Sequence, residues 1–166
     1  MDKPAASQER QRQPHLDLGE WHERTRALAE GAAEAGWGEQ GDCLREAYAL
    51  ITLAPRSLGA WLAELPPQLE FDTMLAAQCW ESAAVSLLAA EAGYMVSRGG
   101  DGECLASVLL PGMGEEVSAG AQHMALALVS ALASALVAAC PRADAIFRPG
   151  DMVDLTALPR RTGWLH

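Results

Sequence analysis

The sequence predicts an α+β domain, mostly helical, with helices packed on a small antiparallel β-hairpin or sheet. Three observations carry that expectation. Apolar residues recur at helical spacing through most of residues 17–92. The period then changes, and the stretches YMVS, RGGDG and ECLASVLL (Tyr94–Leu110) read as two strands around a glycine-rich turn. Finally, Val117 to Pro141 contains no Asp, Glu, Lys or Arg, which suits a buried helix.

Length and charge set the frame. A chain of 166 residues, half of them hydrophobic, suffices for one ordinary domain and is short for two. Residues 17–141 are expected to form it, between a disordered polar arm (1–16) and an irregular tail (142–166). Against a net charge of −10, the arm and the tail each carry +1, so residues 17–141 hold −12. Phosphate backbones are bound largely by Lys and Arg. An acidic body is therefore not expected to bind nucleic acid directly, nor an anionic membrane. The N-terminal MDKPAASQERQRQPH lacks the apolar run of an export signal. Cys43, Cys79, Cys104 and Cys140 form no CxxC pair. Reduced thiols in a cytoplasmic protein are the expectation.

Taken in order, Gly19–Ala35 reads as the first helix, with Leu18, Trp21, Leu28, Ala32 and Ala35 near one stripe. GWGEQGD breaks it, and Asp42 is a candidate N-cap for a second helix that turns Leu44, Ala47, Tyr48 and Ile51 inward. Pro55 ends or kinks that helix. In SLGAWLAELPP, the residues Leu58, Trp61, Leu62 and Leu65 share one apolar face, and Pro66 and Pro67 stop it. QLEF reads as an extended link or short strand. Asp72 then opens a long helix to Ala92, closed by Gly93, with Ala76, Trp80, Ala83, Ala84, Leu87 and Leu88 inside. In the hairpin, Cys104, Ala106, Val108 and Leu110 share a face. The last helix starts near Ala121 and stops at Pro141, with Leu128, Val129, Leu132 and Leu136 on one side and the small Ala127, Ser130, Ala131 and Ser134 on another. A membrane span needs about 20 predominantly apolar residues. This stretch includes Gln122, His123, Ser130 and Ser134 and is dominated by alanine, so a buried helix of a soluble domain is expected. A two-stranded hairpin is only marginally stable, so a third strand is expected, either from the tail around Phe147 and Val153 or from a second copy.

The segments FDTMLAAQCWESAAVSLL, GYMVSRGG and AQHMALALVSALASAL follow the order helix, hairpin, helix. In that order and composition, residues 71–139 resemble the small α–β–α proteins of phages and prophages called the phage ABA sandwich domain. The resemblance implies a phage- or prophage-encoded accessory protein. It implies no activity and no catalytic residues.

No stretch carries a specific catalytic, metal or nucleotide signature. His123 could act as a general base oriented by Glu115 or Glu116; read plainly, it is a first-turn histidine near acidic residues that suit a helix N-terminus. Cys79 or Cys104 could serve as a nucleophile with His123 or His22, yet both lie in apolar patterns where cysteine behaves as a small hydrophobe. His15, His22, Cys43 and Cys79 lack paired metal-ligand spacing, and no cofactor is expected. RGGDGE resembles a glycine-rich phosphate loop but leads into a strand and lacks a following Lys-Ser/Thr. Trp37 and Trp164 lie in loop or tail sequence, and aromatics are enriched at partner surfaces. The expected function is a non-enzymatic interaction or assembly protein, contacting a protein partner or a second copy through Trp37 and Trp164. A small enzyme built on His123 is the alternative, and an acidic mimic that blocks a nucleic-acid-binding site is the third reading.

Overall fold

A computed structural model describes residues 15–146, with side-chain environments for residues 15–140. Five α-helices and three strands follow in the order α1 (Leu18–Glu34), α2 (Gln40–Thr52), α3 (Gln68–Ala76), α4 (Trp80–Val85), β1 (Gly93–Arg98), β2 (Cys104–Leu109), β3 (Val117–Ala121) and α5 (Met124–Ile146). The expected fold class holds: an antiparallel sheet of order β1-β2-β3 lies against a mostly helical body.

Helices α1 and α2 are locked together at their polar ends. Asp17 caps α1, its carboxylate accepting from the Glu20 amide at 3.0 Å. Leu16 N–H donates to the Leu53 carbonyl at 3.0 Å, tying the entry of α1 to the exit of α2. The last carbonyls of a helix have no partner within it. One of them, on Leu50, accepts from the Trp21 indole at 2.8 Å. Trp21 is fully buried, so this bond both satisfies the carbonyl and fixes the ring in the core. Helix α2 begins three residues earlier than expected, with Glu39 at the N-cap after a 3-10 turn (Trp37–Glu39). Asp42 is therefore a first-turn residue, paired with Arg45 at 3.1 Å.

Between Arg56 and Trp61 the chain forms a 3-10 segment rather than a full α-helix, with Leu58 buried and Trp61 half-buried. The Trp61 indole donates to the Pro111 carbonyl at 3.1 Å, anchoring this segment beside the end of the sheet. QLEF is not extended: it forms the first turn of α3, behind Pro67. A proline just before a helix costs it nothing, because the first amides have no acceptor there.

The long helix expected from Asp72 to Ala92 is broken. Gln78 takes a left-handed conformation at φ 57°. Its amide donates to Leu75 at 3.0 Å, and the Cys79 amide donates to Met74 at 2.9 Å. These two bonds are the Schellman closure of a helix, normally built on glycine. Helix α4 then starts in a new direction and buries Ala83 and Ala84, followed by buried Leu87, whereas Ala76 is exposed. Gly93 does not close a helix; it is the first residue of β1.

Helix α5 is the centre of the molecule. It packs against α1, α2, α4 and all three strands. Every residue from Ala125 to Ala133 is buried, as are Ala135 and Leu136. The small side that was expected at Ala127, Ser130 and Ala131 is where close approach is needed: the Ser130 hydroxyl donates to the Ala29 carbonyl of α1 at 2.7 Å. Both ends of this helix differ from expectation. The helix starts at Met124, because Val117–Ala121 is strand, and it runs through Pro141 to Ile146, so residues 142–146 are helical rather than irregular tail. Among the described residues, no helix is long and apolar enough to cross a membrane. The arm's first fourteen residues and the tail pieces around Phe147 and Val153 lie outside the described residues.

Candidate interaction surface

Side chains alternate between the two faces of a strand. In β2 and just past its end, Cys104, Ala106, Val108 and Leu110 turn inward and are buried, as their spacing predicted. The register is unbroken over Gly93↔Leu109 to Arg98↔Cys104 on one side of β2, and over Cys104↔Ala121 to Val108↔Val117 on the other. The third strand thus comes from the residues directly before α5, not from the tail. Sequence reading missed it because VSAGA is short and poor in strand-forming side chains, and it is absorbed into the uncharged run that precedes the helix.

The opposite face of the sheet is the unusual one. Its central row is Met95–Ser107–Ser118, flanked by Ser97–Leu105–Gly120 on the hairpin-tip side and Gly93–Leu109 on the other. None of these eight positions is charged. Met95, Leu105 and Leu109 remain 60, 48 and 39% exposed. Ser107 sits low between them and is buried, its hydroxyl 2.7 Å from that of Ser118, so the polar atoms of the central row satisfy each other. The solvated face of an antiparallel sheet normally carries polar residues. At its Gly93 end this face opens into a hollow of about 210 Å³ lined by Tyr94, Met95, Leu109 and Glu116, among others.

The residues singled out from sequence are placed as follows. Trp37 is 60% exposed, and its ring meets His123 edge-on, with centroids 5.3 Å apart and planes at 77°. The loop before α2 therefore reaches the start of α5, a pairing no spacing in the sequence could reveal. Trp164 lies outside the described residues. Glu115 and Glu116 precede β3 and His123 follows it. A five-residue strand rising about 3.3 Å per residue holds them roughly 15 Å or more apart, so neither carboxylate is brought to the imidazole. Cys104 is buried, and its thiol points at the Gln122 carbonyl at 3.8 Å. Cys79 is exposed, against the expectation of an apolar setting, because the left-handed turn at Gln78 swings it out of the helix face. The Cys43 thiol is pushed up by partial burial, and further by the nearby Glu39 and Asp42 carboxylates, which is the wrong direction for a nucleophile. His22 lies beside Arg26 on α1, and His15 contacts the Ala54 carbonyl at 3.1 Å. Among the described residues, no three His, Cys, Asp or Glu side chains are grouped so as to hold a metal ion. RGGDG is a hairpin turn: Gly99 N–H donates to Glu103 O at 2.8 Å, Gly102 sits at φ 91°, and the Asp101 carboxylate accepts from the Glu103 amide. No family model, curated protein or solved structure matches the chain.

Proposed function

We propose that this chain is a non-enzymatic interaction or assembly protein that docks on another protein surface through the outer face of its sheet. One observation carries the reading: eight adjacent sheet positions without a charge, with Met95, Leu105 and Leu109 exposed among them, on a chain of net charge −10. Depletion of charge with exposed large apolar side chains is the character of an interface centre. The exposed Trp37, braced by His123, is a second contact point of the same kind. The acidic groups are distributed over α1, α2, α3, α4 and the hairpin, which favours a role in solubility over mimicry of a nucleic acid. The reading extends to a cytoplasmic location and, from the resemblance of the helix, hairpin, helix order to the phage ABA sandwich domain, to a phage- or prophage-encoded accessory protein. Capsid, tail or lysogeny genes beside its gene would support that origin, and a neighbourhood without them would remove it.

Photo-crosslinking tests the docking face. A photoreactive amino acid at Leu105 should yield discrete protein adducts in cells of the native host, while one at exposed Glu30 on α1 should not. Equal labelling from both positions, or none from Leu105, would overturn the proposal.

A further inference from the structure

We infer that the open edge of β1 pairs with β1 of a second copy of this chain, in antiparallel fashion about a two-fold axis at Val96, to give a six-stranded sheet. The inference goes beyond the interaction reading above: it concerns the edge of the sheet and leaves the outer face open to a partner. Gly99 N–H donates to Glu103 O at 2.8 Å. Hydrogen-bonded and non-hydrogen-bonded pairs alternate along an antiparallel ladder. Ser97, Met95 and Gly93 therefore bond to β2, and Tyr94, Val96 and Arg98 turn their amides and carbonyls outward. No strand among the described residues receives them. The edge is lightly protected: β1 has no lysine, no proline and no bulge in its register, and its one charge, Arg98, stands at the end of the strand.

The edge is complementary to itself. With Val96 opposite Val96 of the second copy, each Tyr94 faces an Arg98 and each Arg98 faces a Tyr94. All three outward-facing residues then enter the ladder, giving about six new main-chain hydrogen bonds. The cross-strand pairs are β-branched on β-branched at the centre and guanidinium on aromatic at both ends. Tyr94 and Arg98 are both exposed in the single copy, so each is accessible to such a partner. The uncharged outer face becomes continuous across the axis, with Met95 beside Ser97 of the other copy. Two chains of charge −10 repel, and this is a surface on which they can meet without placing acidic side chains in the strand-to-strand contact.

Sedimentation and light scattering on the full-length protein test the inference, together with a charge exchange. The wild type should be a dimer at micromolar concentration, tightened by added salt as the long-range repulsion is screened. Tyr94→Arg, which sets two arginines against each other twice, and Arg98→Glu should each weaken it about tenfold. The double variant, Tyr94→Arg with Arg98→Glu, should restore it. Residues 94 and 98 are too far apart along one strand to pair within a chain, so rescue reports the contact between copies rather than folding. Circular dichroism and thermal melts confirm that each variant folds. A monomer whose Tyr94, Val96 and Arg98 amides exchange freely overturns the inference. So does a monomer in which those amides are protected, because the chain would then be covering its own edge. A dimer indifferent to both substitutions also overturns it. If the chain is monomeric yet Leu105 crosslinks to a different protein, the interaction reading stands and the second copy is wrong.

Discussion

At the scale of single residues, Gln78 is the position that most changes the fold from its sequence expectation. A left-handed conformation costs a side-chain-bearing residue roughly 1–2 kcal/mol, which glycine does not incur. Gln78 adopts it because the Schellman bonds to Leu75 and Met74 close α3 there. Gln78→Gly should therefore raise stability by about 1 kcal/mol, whereas Gln78→Ala should not; urea denaturation of the three proteins checks this. A helix-stabilising response to alanine would mean that α3 and α4 are continuous. The break was illegible in the sequence for a specific reason: helices that end on glycine advertise it, and this one does not. Gly93, which does look like such a stop, starts a strand instead. The Trp21–Leu50 and Ser130–Ala29 bonds were equally invisible, since each joins a side chain to a main-chain carbonyl and so leaves no trace in residue type.

At the scale of elements, the two faces of α5 were legible and its limits were not. Leu128, Leu132 and Leu136 announce a buried side by their spacing, and the alanines and serines between them announce a close one. Strand β3 was hidden because alternation of Val117, Ala119 and Ala121 with Ser118 and Gly120 is a weak pattern next to a long uncharged helix. Ala131 is fully buried in the interior of α5, and Gln122 is exposed before its first turn. Ala131→Leu should overpack the core and cost about 1–3 kcal/mol, and Gln122→Leu should change stability far less. Equal losses in a thermal melt would show that the helix faces are assigned wrongly. The sheet's outer face was half legible: the spacing of β2 fixed which residues point in, but only the pairing with β1 and β3 showed that every residue pointing out lacks a charge.

At the scale of the whole molecule, fold class was readable because it depends on period and length, which survive in composition. The candidate surface was less so, because it is assembled from three strands and requires their register. The third strand that was expected from the tail or a second copy is supplied by β3, which pairs the second edge of β2, while the tail pieces themselves lie outside the described residues. Deleting residues 147–166 should accordingly leave the melting temperature nearly unchanged and the protein in its original association state. A loss of several degrees, or aggregation of the truncated chain, would show that those residues complete the domain.

The central position of α5 also has a consequence for how the chain comes to be folded. The helix that α1, α2, α4 and the three strands rest on follows all of them in the chain. The Ser130–Ala29 bond spans 101 residues, and contacts of that sequence separation make folding slow. As the chain leaves the ribosome, α1, α2 and the hairpin emerge with their apolar faces uncovered and must wait for Met124 and the residues beyond it. Growing chains in that state are prone to aggregate. Completion of the core thus waits on α5, and how long apolar surface stays uncovered during synthesis is set by where in the sequence that helix lies.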